Sequence, residues 1–298
     1  MTELSLSNAP FLELVNEQKI YKLLSGSSEE DTIDASGICV MDGDFYVTFE
    51  DSAHIARFGA SLSADDPANA LRRNPDDDIG REDITYDADL QRFLIITEAV
   101  KQPDGTYMPK VTSYDAQLHF IEESRLEFAL QGKHKGMEGI ACIRRNDRLY
   151  LLGLCEGNLC HGGRRGRRPG GGRIQLFQKE KGKWARTDMI ELPAGLPFEN
   201  YSSLALNGDQ IAVVSRESSA LWIGALRKDT WAVVDDGAVY RFPLSKKGKL
   251  AYCAIDGISW LSDDTFVAVS DRSGSVFGFQ KRCRKKDQSV HIFKLSAS

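Results

Sequence analysis

Ten positions carry the side chains of this 298-residue chain best suited to chemistry, two in each of five copies of one repeated pattern. The first set is Ser36, Glu82, Glu138, Ser202 and Asp256; the second is Glu50, Glu98, Glu156, Arg216 and Asp271. Counting Glu50, seven of them are carboxylates, and gathered in a confined place they need compensation from cations, shared protons or arginines. Carboxylate oxygens are hard ligands that suit Ca²⁺ or Mg²⁺, whereas His54, His119, His134, His161 and His291 are too scattered for a zinc-type cluster. Glu82, Glu138, Asp256 and Asp271 are therefore the candidate metal ligands. Glu138, with Glu156 or Glu98 as general base and Arg216 on a substrate anion, makes up the candidate catalytic set. The opposing reading is an internal ion-pair network, in which Arg216 and Arg272 bind neighbouring carboxylates and join parts of the fold. No organic cofactor is implied.

These residues meet only if the repeat places them together. Each copy runs from a small or acidic residue through an apolar stretch, a polar turn and a second apolar run to a charge. Ser36-Gly37-Ile38 to Phe49-Glu50 is the first copy, and Asp256-Gly257-Ile258 to Ser270-Asp271 is the fifth. The copies begin near 36, 82, 138, 202 and 256, at spacings of 46, 56, 64 and 54 residues. Apolar runs rich in Val, Ile, Tyr and Phe, each preceded by turn residues such as Asp42-Gly43 or Asn207-Gly208, read as hairpins. A period of about 50 residues built from hairpins predicts an all-β β-propeller of four-stranded antiparallel blades. Five blades are preferred, and six, with a degenerate N-terminal blade, are the alternative. The fifth copy ends one strand short, so Phe11–Val15 or Lys19–Leu24 is expected to lend the missing outer strand and hide both open edges. In such a ring the first strand of each blade lines the central channel, which brings both sets of residues to one mouth.

Composition fits one domain over 1–298, with 42% hydrophobic residues to fill a core. A net charge of −5 is too mild to point to nucleic acid or a membrane surface, and no apolar run reaches bilayer length. The N-terminus carries neither a basic stretch nor an apolar core of a leader, so a cytoplasmic location is expected, with the six cysteines as reduced thiols. Cys155 and Cys160 have the spacing for a local disulfide or half a metal site, and no second pair completes a zinc pattern.

Two basic insertions, His161–Arg173 and Lys281–Lys286, fall between the second and third strands of blades three and five, on the face of the mouth. They are either solvated loops or a cationic rim for an anionic small molecule; a protein partner at the same face is the other expectation. Their arginines are not interleaved with aromatics, which argues against nucleic acid.

Met137-Glu138-Gly139-Ile140-Ala141 and Ile255-Asp256-Gly257-Ile258-Ser259 resemble the phytase-like and esterase-like group of bacterial β-propellers. The resemblance covers most of the chain at the level of fold, with short motifs. It implies a carboxylate-lined mouth like that of the calcium-dependent phosphate-ester hydrolases in that group. Ala64-Asp65-Asp66-Pro67-Ala68 resembles their Asp-Asp-Pro-Ala element but lies after the first hairpin, where it reads as a turn. Asp76-Asp77-Asp78 reads as a solvated connector. No Gly-x-Ser-x-Gly elbow occurs, and no histidine is supplied to Ser36 or Ser202 as a base; His134 alone is placed to approach the mouth. The expected activity is metal-assisted hydrolysis of an anionic phosphate ester or lactone, with a noncatalytic binding module as the alternative.

Overall fold

Tight hairpins build the blades. Asp42 and Gly43, and again Asn146 and Asp147, all take positive φ, the conformation that a two-residue turn needs to follow the twist of its strands. In the computed structural model, which describes residues 4–28, 31, 34–72, 79–130, 136–272, 283 and 285–296, five four-stranded antiparallel sheets form a five-bladed propeller. Asp76-Asp77-Asp78, His134 and, in the Lys281–Lys286 insertion, Lys281, Arg282 and Arg284 lie outside the described residues.

Blade one comprises β2 (Ala35–Met41), β3 (Asp44–Phe49), β4 (Ser52–Phe58) and β5 (Ala70–Arg72). Blade two comprises β6 (Arg81–Asp87), β7 (Arg92–Lys101), β8 (Tyr107–Asp115) and β9 (Phe120–Arg125). Blade three follows with β10 (Met137–Arg145), β11 (Arg148–Cys155), β12 (Arg173–Glu180) and β13 (Lys183–Glu191). Blade four has β14 (Ser203–Asn207), β15 (Gln210–Ser215), β16 (Ala220–Ala225) and β17 (Ala238–Arg241). Blade five has β18 (Ile255–Ser262), β19 (Thr265–Ser270) and β20 (Ser289–Lys294), with β1 (Glu13–Lys19) as its outer strand. The innermost strands β2, β6, β10, β14 and β18 touch in that order, and β18 returns to β2. Buried apolar side chains of neighbouring blades share a cluster at each of the five seams: Tyr46 with Phe93, Ile96 with Phe177, Leu176 with Trp222, Leu221 with Phe266, and Phe45 with Val267. The Asp66 segment is a turn, its carboxylate accepting the Ser61 hydroxyl and the Ala68 N–H.

The ring closes through the N-terminal strand Glu13–Lys19; Ile20–Leu23 is a helical turn, which removes Lys19–Leu24 as the closing strand. A polar latch fixes it. Glu17 accepts from Lys286, from the Tyr252 hydroxyl at 3.3 Å and from His291 Nδ1 at 3.1 Å, and His291 Nε2 lies 3.0 Å from Ser270 Oγ. Serine, histidine and glutamate thus take the order of a hydrolase triad. Ser270 and His291 are 1% and 0% exposed, so no substrate reaches them and the constellation serves closure. Burial alone would push the Glu17 carboxyl up, but hydrogen bonds from His291 and Lys286 outweigh it and hold it at about 2. Glu17→Gln is expected to cost about 1–2 kcal/mol, read as a lower urea midpoint at unchanged m-value. An unmoved midpoint would show that the latch contributes nothing.

Two disulfides overturn the expectation of six thiols: Cys155 pairs with Cys160, and Cys253 with Cys283. Cys283, which precedes β20, lies against Cys253 at the entry to β18, so residues 30 apart in sequence have Cα atoms 5.6 Å apart. Cys39 and Cys142 are free.

Candidate functional site

Four of the five inner strands begin alike. In blades one, two, three and five the register slips by one residue at the strand start, between Ala35 and Gly37, Arg81 and Asp83, Met137 and Gly139, and Ile255 and Gly257. The residue left over in each β-bulge is Ser36, Glu82, Glu138 or Asp256. A bulge re-aims its extra side chain out of the alternation of the strand, and here it singles out the first set of mouth residues. One recurring hydrogen bond then brings in the second set. The N–H groups of Glu50, Glu98, Glu156 and Asp271 donate to the carbonyls of Asp34, Gly80, Gly136 and Ala254, each two residues ahead of the bulge residue.

Beneath the mouth lies a residue that the repeat pattern did not single out. Asp83 occupies the position held by Gly37, Gly139 and Gly257 in three other blades, and it is 1% exposed. Its carboxylate accepts the N–H of Ile84 at 2.9 Å, the N–H of Ile140 at 3.0 Å and the Ser203 hydroxyl at 3.1 Å. Ser203 Oγ in turn accepts the Ile258 N–H at 3.2 Å, so two side chains, Asp83 and Ser203, tie blades two, three, four and five together. The glycines make room for it: a Cβ on Gly37 would stand 2.5 Å from Asp83 Cα. The signal was available as the one acid among small residues at that step of the repeat.

The mouth has two unlike sides. On one, Arg216 Nη1 lies 2.9 Å from Asp256 Oδ2 and 3.5 Å from Asp271 Oδ2. This is the ion-pair network, built by the single cation among the ten positions. On the other side, carboxylate oxygens of Glu98, Glu138 and Glu156 all lie within 4.8 Å of one another. Two oxygens on one calcium ion at about 2.4 Å are at most about 4.8 Å apart, so the spacing and the all-oxygen donor set fit a hard divalent cation. Glu98 is anchored by accepting the Gly136 N–H at 2.8 Å. Glu82 and Glu138 form no side-chain hydrogen bond or ion pair among the described residues, although Glu82 is only 8% exposed. Of the four ligand candidates read from sequence, Glu138 stands in this triad, Glu82 stands beside it, and Asp256 and Asp271 face Arg216. Glu98 and Glu156, read as bases, complete the triad.

Crowded acids hold on to protons. Burial, then the charges of Glu138 and Glu50, push Glu82 well above the ordinary carboxyl value, and burial with Glu156 and Glu98 does the same to Glu138. Burial raises Asp256 to about 6 against the pull of Arg216, and burial with the charge of Asp256 raises Asp271 to about 8. An acid whose folded pKa exceeds its unfolded one binds more protons folded than unfolded. Metal-free protein is therefore expected to lose stability as pH rises from about 4 through 8, the window from the ordinary 3.8 to the raised values of Asp256 and Asp271. Thermal melts in chelator across that range check this; a rising or flat profile would contradict the crowding.

The basic insertion of blade three is a built loop. Asn158, fully buried, donates to the carbonyls of Gly166 and Phe198 and accepts from the Gly171 N–H and the Tyr201 hydroxyl. Arg167 at its tip pairs at 3.4 Å with Glu217, the neighbour of Arg216, so the loop reaches the rim of the mouth as its chain position implied.

No family model matches the sequence, and no curated protein sequence matches it. Among solved structures, the glutaminyl cyclase of Myxococcus xanthus is similar with a TM-score of 0.57 at 11% identity, over 96% of this chain and 98% of that one. A calcium-binding regucalcin of Agrobacterium tumefaciens reaches 0.49 at 11% identity over 97% of both chains. The PQQ-bound aldose sugar dehydrogenase of Streptomyces coelicolor reaches 0.48 at 11% identity, over 94% and 98%. The first likeness establishes a shared propeller fold; at such identities none of the three carries an activity across.

Proposed function

We propose that the protein is a metal-assisted hydrolase of an anionic small molecule, a phosphate ester or related ester, working at the acidic mouth. The observation that carries this reading is the triad of Glu98, Glu138 and Glu156, set beside the buried Glu82, which has no side-chain partner among the described residues. These three carboxylates would hold Ca²⁺ or Mg²⁺, which when bound supplies Lewis-acid polarisation of the ester and activation of water. Glu82, whose carboxyl is pushed up by burial and then by the charges of its acidic neighbours, would be the proton donor to the leaving oxygen. Arg216 is 37% exposed at its side chain, which leaves part of its guanidinium to face a substrate anion while Asp256 and Asp271 fix its orientation. The likeness to calcium-dependent phosphate-ester hydrolases belongs to this proposal.

Hydrolysis of p-nitrophenyl phosphate and p-nitrophenyl acetate by chelator-treated protein, with each ion added back, tests it. Turnover that needs the ion and vanishes in Glu138→Gln supports the hydrolase. Ion-dependent stabilisation without turnover of any ester would leave the noncatalytic binding module, for which the built loop at 161–173 and its outward arginines supply the surface. The two disulfides support an oxidising compartment rather than the cytoplasm as part of the same proposal. Alkylation of denatured, unreduced protein is expected to label two of the six cysteines, and labelling of all six would contradict it. Among the described residues no helix is long and apolar enough to cross a membrane.

A further inference from the structure

The basic insertion of blade three has the composition of a flexible, solvated loop and the packing of a fixed one. A Cβ on Gly157 or Gly166 would stand 2.0 or 1.9 Å from the His161 carbonyl oxygen, so both glycines are used up in a close approach of backbone to backbone. The Cys155–Cys160 disulfide, the Leu159 N–H to the Gly171 carbonyl at 2.6 Å and the hydrogen bonds of buried Asn158 close the base of the loop.

What this framework presents is charge. Arg164, Arg165, Arg167 and Arg168 are exposed, and apart from the 3.4 Å pair of Arg167 with Glu217 their side chains make no hydrogen bond or ion pair among the described residues. Four guanidiniums within five positions repel one another, and a loop that needed only to be soluble would spread them out. A chain of net charge −5 that gathers them and holds them in place bears that repulsion in the free protein, and a ligand with several negative charges relieves it. The residue types narrow the ligand. Residues 161–173 include no Phe, Tyr, Trp, Asn or Gln, so nothing there stacks on a base or reads a sugar hydroxyl. Recognition is left to guanidinium forks, which match phosphoryl oxygens two at a time. The loop also leads to the mouth: Arg167 holds Glu217, Glu217 follows Arg216, and Arg216 lies against Asp256 and Asp271.

From this continuity we infer that the substrate is a linear chain of phosphoryl groups, its end at the mouth beside Arg216 and its following groups on Arg164, Arg165 and Arg168. The inference rests on the hydrolase reading for the end group, and on the loop alone for the rest of the chain. In the reaction a water oxygen bonds to the terminal phosphorus, and the bond from that phosphorus to the bridging oxygen breaks. The bridging oxygen keeps the electron pair and takes the proton that the water gives up, leaving orthophosphate and a chain one unit shorter. A small monoester reaches the mouth and leaves the loop unused.

The test is calorimetric binding of orthophosphate, tripolyphosphate and long-chain polyphosphate to chelator-treated protein, since polyphosphate would itself strip calcium from the mouth. Affinity is expected to rise with chain length and to fall with salt. The triple variant Arg164→Gln, Arg165→Gln, Arg168→Gln alters exposed side chains that hold nothing in the fold, so it melts no lower than the parent. In it the affinity for the long chain falls about tenfold, the sum of three exposed ion pairs. The slope of log affinity against log salt falls by about 2, at about 0.7 for each charge removed. Orthophosphate released from the long chain, with Ca²⁺ or Mg²⁺ in excess over phosphoryl groups, reads the reaction. Undiminished binding in the triple variant, or equal affinity of the parent for heparin, a sulfated polysaccharide, overturns the loop as a phosphoryl-chain site and leaves the hydrolase reading standing. Arginine-dependent binding without release of orthophosphate, in protein that hydrolyses p-nitrophenyl phosphate, overturns the chain as substrate. Turnover of neither compound overturns the hydrolase reading and the inference with it.

Discussion

Chelator-treated protein at about pH 8 gains roughly 5 °C in Tm when Ca²⁺ is added to about one hundred times its dissociation constant, and Glu138→Gln gains nothing. The size follows from about 2.7 kcal/mol of linkage at that excess and about 2 °C per kcal/mol for a chain of this length. Glu138 is the shared member of the mouth: it is the bulge residue of blade three, it lies within 4.8 Å of Glu98 and Glu156, and it pushes on Glu82. Glutamine keeps its shape and removes one charge, so the ion loses a hard ligand while the neighbours lose a repulsive one. The same substitution is therefore expected to act in opposite directions. Without metal the variant melts at or above the parent, because a crowded buried acid has gone; with metal it melts below. A variant that is less stable than the parent in both conditions would mean that Glu138 serves the fold and not an ion.

Arg216→Met is expected to cost about 2–3 kcal/mol at pH 8 and much less at pH 5. Removing one partner of a fully buried pair costs about 3–5 kcal/mol, and the 37% exposure of the Arg216 side chain lowers that figure through solvent screening. The pH dependence has a definite sign. Asp256 and Asp271, raised to about 6 and about 8 even with the arginine present, take up protons as pH falls and then need no counter-charge. Urea midpoints at the two pH values measure the difference. An equal loss at both would locate the arginine's contribution in packing, and no loss at either would remove the ion-pair network from the account. If the mouth also binds a substrate anion, the variant weakens methylphosphonate binding at saturating Ca²⁺.

The blades were legible because each hairpin writes its own turn residues and apolar runs locally, and the period of those runs implies a ring. The equivalent steps of blades one, two, three and five were legible for the same reason, since the bulge and its hydrogen bond recur there in step with the repeat. Register was not. A single bulge turns Glu138 toward the mouth instead of into alternation with Met137 and Gly139, and no residue type announces it. The split of the acids into an arginine-bound pair and an open triad was hidden as well, because it depends on how far the Arg216 side chain reaches across to blade five. Asp83 was visible as an odd residue, but its role appears only once Ile140 and Ser203 are brought to it from two other blades. The latch lay furthest from local reading: Glu17 and His291 stand 274 residues apart and meet because the first strand completes the last blade. Cys253 and Cys283 escaped for a related reason, standing 30 residues apart, a separation that no local spacing pattern announces.

Anomalous diffraction from crystals soaked in Mn²⁺, a hard cation that takes the same oxygen ligands, tests the central claim most directly. The account predicts one strong peak bounded by the carboxylates of Glu98, Glu138 and Glu156, within about 2.5 Å of an oxygen from each. A mouth without a peak at saturating Mn²⁺, or a peak at Asp256 and Asp271 with Arg216 displaced, would contradict it.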